Sequence, residues 1–582
     1  MINFRFDCFV HYGIKKEFGY KKLLDRISDT EDAKESLIYS YGRSFNGFAA
    51  KLSDEEVETF SGIWPESESF SDKGFGPPPA KWKELAKLTT TLPATTGRKV
   101  KGANYFGLAE GLARGGVPEA RIAVYKSCWL GAGCYAADIL AAFDDAIADG
   151  IDLISVSIGK PTVQYWEEPV AIGSFHAMKH GILTSASSGN YGPERAVIQN
   201  YLPWSLTVAA SSIDRKFMSH LVLGNGQTFM GSVVNAFELN GTPFPLIWGG
   251  DATNFSGNYI SPTSKYCIPG ALNMNKVEGK IVLCKDRSDG SGAFMANGAG
   301  VIMPSQPFDN FALPFPLPTT IISTKDISKV LEYIRSSNEE IQDITAPYAA
   351  SFSSRGPNPI TPDILKPDHT APGVNILAAW TPLAPASVYK EYTRSTKYYI
   401  DSGTLMACPH ASGVAAYVKA THPSWSPAAI KSALMTIDYI DFLCKQGYNT
   451  STIRLVTGEQ SVRKSTKAGR GWDINYPSLS LAIEDGQKIS GIFTRTVTNV
   501  GSPNSTYHAK IDKPDSLNIT VEPSVLSFSA VGDKKIFIVN VKGKHITQVP
   551  IVSGSISWID GVHVGEIEAI LPRCGIGAMN VV

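Results

Sequence analysis

Hydroxyl, thiol and imidazole groups gather in one stretch of this 582-residue chain: Asp401-Ser402-Gly403-Thr404-Leu405-Met406-Ala407-Cys408-Pro409-His410. A second stretch, Ser187-Ser188-Gly189-Asn190-Tyr191-Gly192-Pro193, directly follows an apolar run. These residue types are the raw material of nucleophilic catalysis. There a hydroxyl needs a base within hydrogen-bond reach, and the base needs an acid to orient it. Taken alone, Gly189-Asn190-Tyr191-Gly192 reads as turn chemistry. Cys408 reads as a small buried residue, and His410 as a structural histidine packed under a helix start. Asp144-Asp145 resembles an acid/base pair only superficially, because it falls on the polar side of an amphipathic segment and reads as solvated surface.

The elements that must position these groups follow from periodicity. Ile122–Tyr125, Leu153–Ser157, Ile182–Thr184 and Leu206–Ala209 read as buried strands. Between them Ala136–Ala148 reads as a helix with Ile139, Leu140, Phe143 and Ile147 on one face. Val170–His180 reads as a second, and Gly150 and Gly181 stop the two. The alternation predicts an α/β unit, a parallel sheet with helices on both faces. Near 240 the pattern changes. Lys280–Cys284, Gly300–Met303 and Thr320–Ser323 read as short strands and Asp326–Ser336 as a helix, which suggests a domain inserted at 240–345. The α/β pattern then resumes with a strand at Val374–Ala379, a buried helix at Thr404–Ala420, and another from Ser426-Pro427 to about Met435. From about 475 onward short alternating strands predict a terminal β-sandwich. Ahead of all this, residues 1–60 read as a small α+β unit, with a helix at Lys21–Arg26, strands at Leu37–Tyr41 and Gly47–Leu52, and a capped helix start at Ser53-Asp54-Glu55-Glu56.

Composition narrows the function class. Lys+Arg and Asp+Glu are both 54, so no electrostatic grip on nucleic acid or anionic lipid is expected. No apolar run approaches the ~20 residues of a membrane helix. Neither CxxC metal-ligand spacing nor any cofactor motif occurs. The start of the chain has an early Arg5 and Asp7 and makes a poor signal peptide. Two other features favour an extracellular setting: N-x-S/T sequons at Asn240, Asn254, Asn449, Asn504 and Asn518, and the close cysteine pairs Cys128/Cys134 and Cys267/Cys284. The pairs read either as small-loop disulfides or as ordinary buried thiols.

The 401–410 stretch resembles the nucleophile motif of subtilisin-like serine proteases, G-T-S-M-A-x-P-H, and the 187–193 stretch resembles the family's oxyanion-hole loop. Further resemblances run along most of the chain. Ser354–Pro357 and Lys366–Gly373 are similar to segments of the plant, cucumisin-like group. Gly62-Ile63-Trp64-Pro65 is similar to the segment after the catalytic aspartate. Residues about 35–60 resemble an inhibitory prodomain, the insert a protease-associated domain, and the tail a fibronectin-III-like domain. The resemblance implies a secreted endopeptidase that uses no cofactor and acts on peptides or proteins. It makes Asn190 an oxyanion donor and Ser157-Ile158-Gly159, with Ser188 and Gly189, a strand-like binding edge for peptide. It implies these domains: 1–60 prodomain remnant, 61–239 first part of the subtilisin-like domain, 240–345 insert, 346–445 second part, 470–575 sandwich.

The departures fall on the catalytic groups. The serine's position holds Leu405, the aspartate's holds Phe60, and the histidine's holds Lys87. No histidine lies between His11 and His176. Leucine has no lone pair to attack with, and neither Ser402 nor Thr404 points in Leu405's direction. The matching blocks are also interrupted. Glu58-Thr59-Phe60 abuts Gly62-Ile63-Trp64, Trp82-Lys83 runs nearly into Gly97, and Thr436-Ile437 runs into Asp438–Leu443. Such junctions resemble skipped exons or a degenerate gene. The expectation is a family member inactive as written. The alternatives are a pseudoprotease that binds peptides or partners, or a non-functional product of a faulty gene model. With strands and a helix missing, the central domain is expected to be poorly stable.

Overall fold

The computed structural model describes residues 37–41, 47–50, 67–71, 97–129, 133–160, 162–222, 226–237, 242–255, 263–305, 312–330, 336–342, 348–382, 393–432, 475–545 and 551–574, apart from isolated positions within them. The expected helices at Lys21–Arg26 and after Ser53, and the positions Phe60 and Lys87, lie outside the described residues.

Strands β1 (Leu37–Tyr41) and β2 (Gly47–Ala50) pair antiparallel. A second hairpin, β3 (Val100–Tyr105) and β4 (Leu108–Ala113), follows. Residues 121–127, expected to include a strand, form no regular element and are mostly half-buried. Their apolar run suits a buried strand, but the parallel sheet ends before reaching them. Helix α1 (Ala136–Ala148) buries Ile139, Leu140, Phe143 and Ile147 as expected. It also buries Asp144, only 5% exposed, so the solvated-surface reading of that residue is corrected. The reason is that α1 is flanked on two sides, by the next helix and by β1.

The central sheet is built from β5 (Leu153–Val156), β6 (Leu183–Ser187) and β7 (Leu206–Ser211), with α2 (Pro169–Lys179) between the first two. Its fourth strand comes from much further along the chain, at His369–Pro372. Strands β8 (Arg215–Val222) and β9 (Thr228–Ser232) form an antiparallel sheet with a strand that returns much later in the chain. Strands β10 (Leu246–Trp248), β11 (Ile281–Leu283), β12 (Gly300–Pro304) and β13 (Thr319–Ile322) pair in parallel, in chain order. The Cys267–Cys284 disulfide lies in this lobe's core. Helix α3 is described over Thr324–Val330, residues 331–335 of the expected Asp326–Ser336 lie outside the described residues, and the chain from Ser336 is a strand, β14 (Ser336–Gln342), paired with β8. The polar Ser336-Ser337-Asn338-Glu339-Glu340 has no apolar stripe to hold a helix down, and β8 offers it a ladder.

Strand β15 (His369–Pro372) closes the parallel sheet against β7, giving the order β15-β7-β6-β5. The expected strand at Val374–Ala379 begins at Ile376. As β16 (Ile376–Ala379) it pairs antiparallel with β17 (Tyr398–Asp401) rather than joining the sheet. Helix α4 (Thr404–Thr421) packs over all four strands of the parallel sheet. Their contact is made of small residues, Val208, Ala210, Ala371, Ala407, Cys408 and Ala411, which bring helix and sheet close together. Helix α5 (Pro427–Ser432) follows.

The remainder is a β-sandwich. One sheet has the order β18 (Lys488–Thr498), β22 (Lys534–His545), β20 (Leu517–Glu522). The other joins β24 (Val564–Cys574), β23 (Ile551–Ile559), β19 (Ser505–Asp512) and β21 (Val525–Phe528). Inward positions alternate cleanly along β18 and β20 and bury Phe493, Val497, Ile519, Phe537 and Trp558 in one core.

A buried carboxylate joins these parts. Asp368 Oδ2 lies 2.6 Å from Lys366 Nζ, and its Oδ1 3.3 Å from Lys431 Nζ on α5. The Thr207 amide donates to Oδ2 at 2.7 Å, and the Tyr476 hydroxyl donates to Oδ1. Tyr476 opens the sandwich, and Arg495 of β18 donates to its carbonyl at 2.9 Å. Burial alone would raise the Asp368 carboxyl, but the two lysines hold it below the ordinary carboxylate range. Burial pulls both lysines down, Lys431 well below the usual value, while Asp368 opposes this.

Removing one partner from a buried ion pair strands the other charge, at roughly 3–5 kcal/mol. Asp368→Asn leaves two ammonium groups without a counter-ion, whereas Lys431→Met leaves a one-to-one pair. Denaturant titration should therefore show Asp368→Asn losing several kcal/mol and Lys431→Met losing less. Because the folded Asp368 value is depressed, its contribution is full above the unfolded carboxylate value. The gap between the chain and Asp368→Asn should narrow progressively as pH falls from the unfolded carboxylate value through the folded one.

Candidate active site

The start of α4 and the 187–193 loop meet, as the sequence implied. After Asp401 the chain passes through Ser402, whose amide donates to Asp401 Oδ1 at 2.7 Å and whose hydroxyl accepts from the Asn375 amide at 2.8 Å. Gly403 N donates to Gly373 O at 2.8 Å, and Gly373 N donates to Ser211 O at 2.9 Å. A Cβ on Gly373 would lie 2.7 Å from Ala210 Cβ and 2.8 Å from Gly403 O, so glycine is what lets the two segments touch. The end of β7 thus fixes the height of the helix start.

Thr404 fixes Asn190. The Thr404 amide and hydroxyl both donate to Asn190 Oδ1, each at 2.9 Å, and the hydroxyl accepts from the Gly189 amide at 3.1 Å. With Oδ1 engaged, the amide nitrogen Nδ2 is turned the other way. The point where a Gly403 Cβ would stand is 3.2 Å from Asn190 Nδ2 and 3.7 Å from Leu405 N. That amide is one of the orphan donors of the helix's first turn. Asn190 Nδ2 and the Leu405 amide nitrogen thus lie near one point beside the positive end of an 18-residue helix.

The position that the resemblance assigns to a nucleophile is apolar. Leu405 is 40% exposed, and its carbonyl accepts from Ser157 Oγ at 3.2 Å. Cys408, one turn on, is fully buried with its thiol 3.6 Å from Ser185 Oγ and 3.7 Å from Ser155 Oγ. Burial pushes that thiol up, away from the reactive thiolate. His410 Nδ1 is 2.8 Å from Met406 O, and burial pulls the ring down against hydrogen bonds to the Met406 and Pro372 backbone. The ring is thus held by the Met406 carbonyl of its own helix and by the Pro372 backbone of β15.

The expected peptide-binding edge lies beside this point. β5 ends at Val156, and no main-chain partner engages Ser157 or Gly159 among the described residues. Asn200 Nδ2 donates to Ile158 O at 2.6 Å and to Ser187 O at 2.8 Å, tying this edge to the Asn190 loop. Ser188 N donates to Val208 O and Ser188 O accepts from Gln199 N, so Ser188 braces the loop, and Gly189 adopts φ +91°. Sequence reasoning missed Thr404 as the clamp on Asn190, and missed Asn200. The run Ile198-Gln199-Asn200-Tyr201 carries no motif, and only the fold brings Asn200 to two carbonyls 42 and 13 residues away.

Comparison with known proteins gives three family matches. Residues 95–454 match the Subtilase family, residues 473–568 a Fibronectin type-III domain, and residues 16–62 the Peptidase inhibitor I9 family. Subtilisin-like protease SBT4.3 of Arabidopsis thaliana is 38% identical over 692 residues, covering 95% of this chain and 94% of that protein. Subtilisin-like protease SBT4.6 of the same plant is 38% identical over 682 residues, covering 94% and 92%. Both alignments are longer than the 582-residue chain, so each relative carries residues with no counterpart here. Among solved structures, Sphericase matches at 19% identity over 56% of this chain and 61% of its own, with a TM-score of 0.25, too low to argue from.

Thr404→Val keeps the shape of the clamp but removes its hydroxyl. The Gly189 amide then loses its acceptor in a buried place, which costs about 1–3 kcal/mol. Thermal unfolding should show that loss, and the Asn190 side-chain amide should broaden in NMR spectra.

Proposed function

This chain belongs to the subtilase family, and from that membership we propose that it is a catalytically silent member, a peptide-binding homologue that does not cleave. The observation that carries the reading is the pairing of a held Asn190 with Leu405. The groups that would stabilise an oxyanion converge, while the atom that would create one is missing. Phe60 and Lys87 stand where the aspartate and histidine are expected. Losing the triad leaves at most the roughly 10³–10⁴-fold effect of binding and the oxyanion hole.

The helix that carries Leu405 supports the same reading. Its sequence is apolar nearly all round, as in a helix covered on every side. The sheet covers one side, yet Val414 is 65% exposed and Tyr417 63% exposed. An uncovered apolar flank and the apolar run at 122–125, which forms no regular element, both fit the loss of a helix and neighbouring strands, as do alignments longer than the chain. A faulty gene model would remove the same blocks, and transcript sequence across Thr59–Gly62, Trp82–Gly97 and Gly403–Met406 distinguishes it from a true coding change.

Peptide binding is supported by the free backbone edge at Ser157 and Gly159, suited to an added strand. We read the inserted lobe as a protease-associated domain on its place in the chain. The setting is extracellular, in keeping with the disulfides Cys128–Cys134 and Cys267–Cys284.

Two outcomes follow. Leu405→Ser should remain unlabelled by a serine-directed fluorophosphonate, because no base activates the new hydroxyl, and labelling above the heat-denatured control would refute the silent reading. A pool of extended peptides should raise the melting temperature, and the same pool N-methylated along the backbone should not. Equal shifts would remove the strand-addition argument.

A further inference from the structure

One face of the sandwich is more apolar than a solvated sheet face should be. On the outer side of the β18–β22–β20 sheet, Ile492 is 62% exposed, Ile536 60% and Ile538 39%. The register places them together. Ile492 faces Asn540 across the β18–β22 pair, Thr494 faces Ile538, and Thr496 faces Ile536. Their inward neighbours Phe493, Phe537 and Val539 fill the core, so these isoleucines are surplus to it.

The same face carries a sequon. Asn518-Ile519-Thr520 lies on β20, with Ile519 buried in the core and Asn518 and Thr520 both exposed on the outer side. Asn518 faces Lys542 and Thr520 faces Asn540, the residue that also faces Ile492. Strand spacing puts Asn518 about 12 Å from Ile492.

The other described sequons differ. Asn254 is half-buried, and its Nδ2 donates to Gly270 O at 3.1 Å inside the insert, so a sugar on that nitrogen would break a native contact. Asn504 is exposed in a left-handed conformation, but its Thr506 hydroxyl is 3.1 Å from Ser527 Oγ. At Asn518 neither the amide nor the hydroxyl two residues on has a hydrogen-bond partner among the described residues.

We propose that Asn518 is an N-glycosylation site whose glycan covers the isoleucine face of the sandwich. The proposal rests on the extracellular reading given above. In the transfer, Asn518 Nδ2 forms a bond to the anomeric carbon of an oligosaccharide carried on a lipid pyrophosphate. The bond from that carbon to the pyrophosphate oxygen breaks, its electron pair leaves with the pyrophosphate, and Nδ2 loses one proton. No oxidation or reduction occurs. The sugar's apolar ring faces then lie over Ile492 and Ile538 and replace water there.

The test is to express the full chain behind a secretion leader in eukaryotic cells, which separates the site from the question of natural routing. Secreted protein is treated with a peptide N-glycosidase in heavy-oxygen water and peptide-mapped. The expected result is conversion of Asn518 to tagged Asp in most molecules, lost in Asn518→Gln and in Thr520→Val. The sugar-free variants should aggregate faster in light scattering, and adding Ile492→Thr with Ile538→Thr to Asn518→Gln should reverse that. An unmodified Asn518 peptide in secreted protein overturns the assignment. Aggregation that is unchanged by loss of the sugar overturns the covering role. Routing fails separately, if a version without the leader stays inside cells while the leader-bearing one is modified.

Discussion

The Asp368 carboxylate is the constraint on which the arrangement of this protein depends. It sits within reach of Lys366 in its own segment, Lys431 on α5, the Thr207 amide on β7 and the Tyr476 hydroxyl at the entry to the sandwich. One charge thereby fixes how β15 enters the parallel sheet, where the last helix docks, and where the terminal domain starts. A buried carboxylate tolerates this site only because every one of these donors is present. The cluster specifies geometry more than it adds net stability.

From that anchor the order of the site propagates in one direction. β15 leads into Gly373, Gly373 holds Gly403, and Gly403 places the first turn of α4 where Thr404 can grip Asn190. On the same helix Leu405, Val414 and Tyr417 are exposed. The side that holds Asn190 is built on intact hydrogen bonds. In the reading proposed above, the side that would supply a nucleophile, a base and its acid carries Leu405, Lys87 and Phe60 at those positions.

Much of this was legible in the sequence because it depends on local pattern. The apolar spacing of α1, the glycines after α1 and α2, the all-apolar run of α4 and the alternation along β18 and β20 each reflect burial that neighbouring residues dictate. The leucine at 405 is read directly from the sequence, and the structure adds that it sits exposed in the first turn of α4. What escaped was decided by partners far along the chain. Ile122–Tyr125 has strand composition but pairs with no strand among the described residues. Ser336–Gln342 became a strand because β8 lies beside it, and Ile376–Ala379 pairs with Tyr398–Asp401 rather than with the parallel sheet. Asp144 is buried because β1 and α2 flank its helix, and Thr404 grips a residue 214 positions away.

The claim that binding survives without chemistry is tested most directly by incubating the purified full chain with denatured protein substrates and sequencing every new peptide terminus by mass spectrometry. Asn190→Ala serves as the matched control. The account predicts no termini beyond those of the control, because an oxyanion hole without a nucleophile has nothing to stabilise. New termini that accumulate with time and disappear in Asn190→Ala would contradict it and would mean that another group in this cleft attacks the peptide bond.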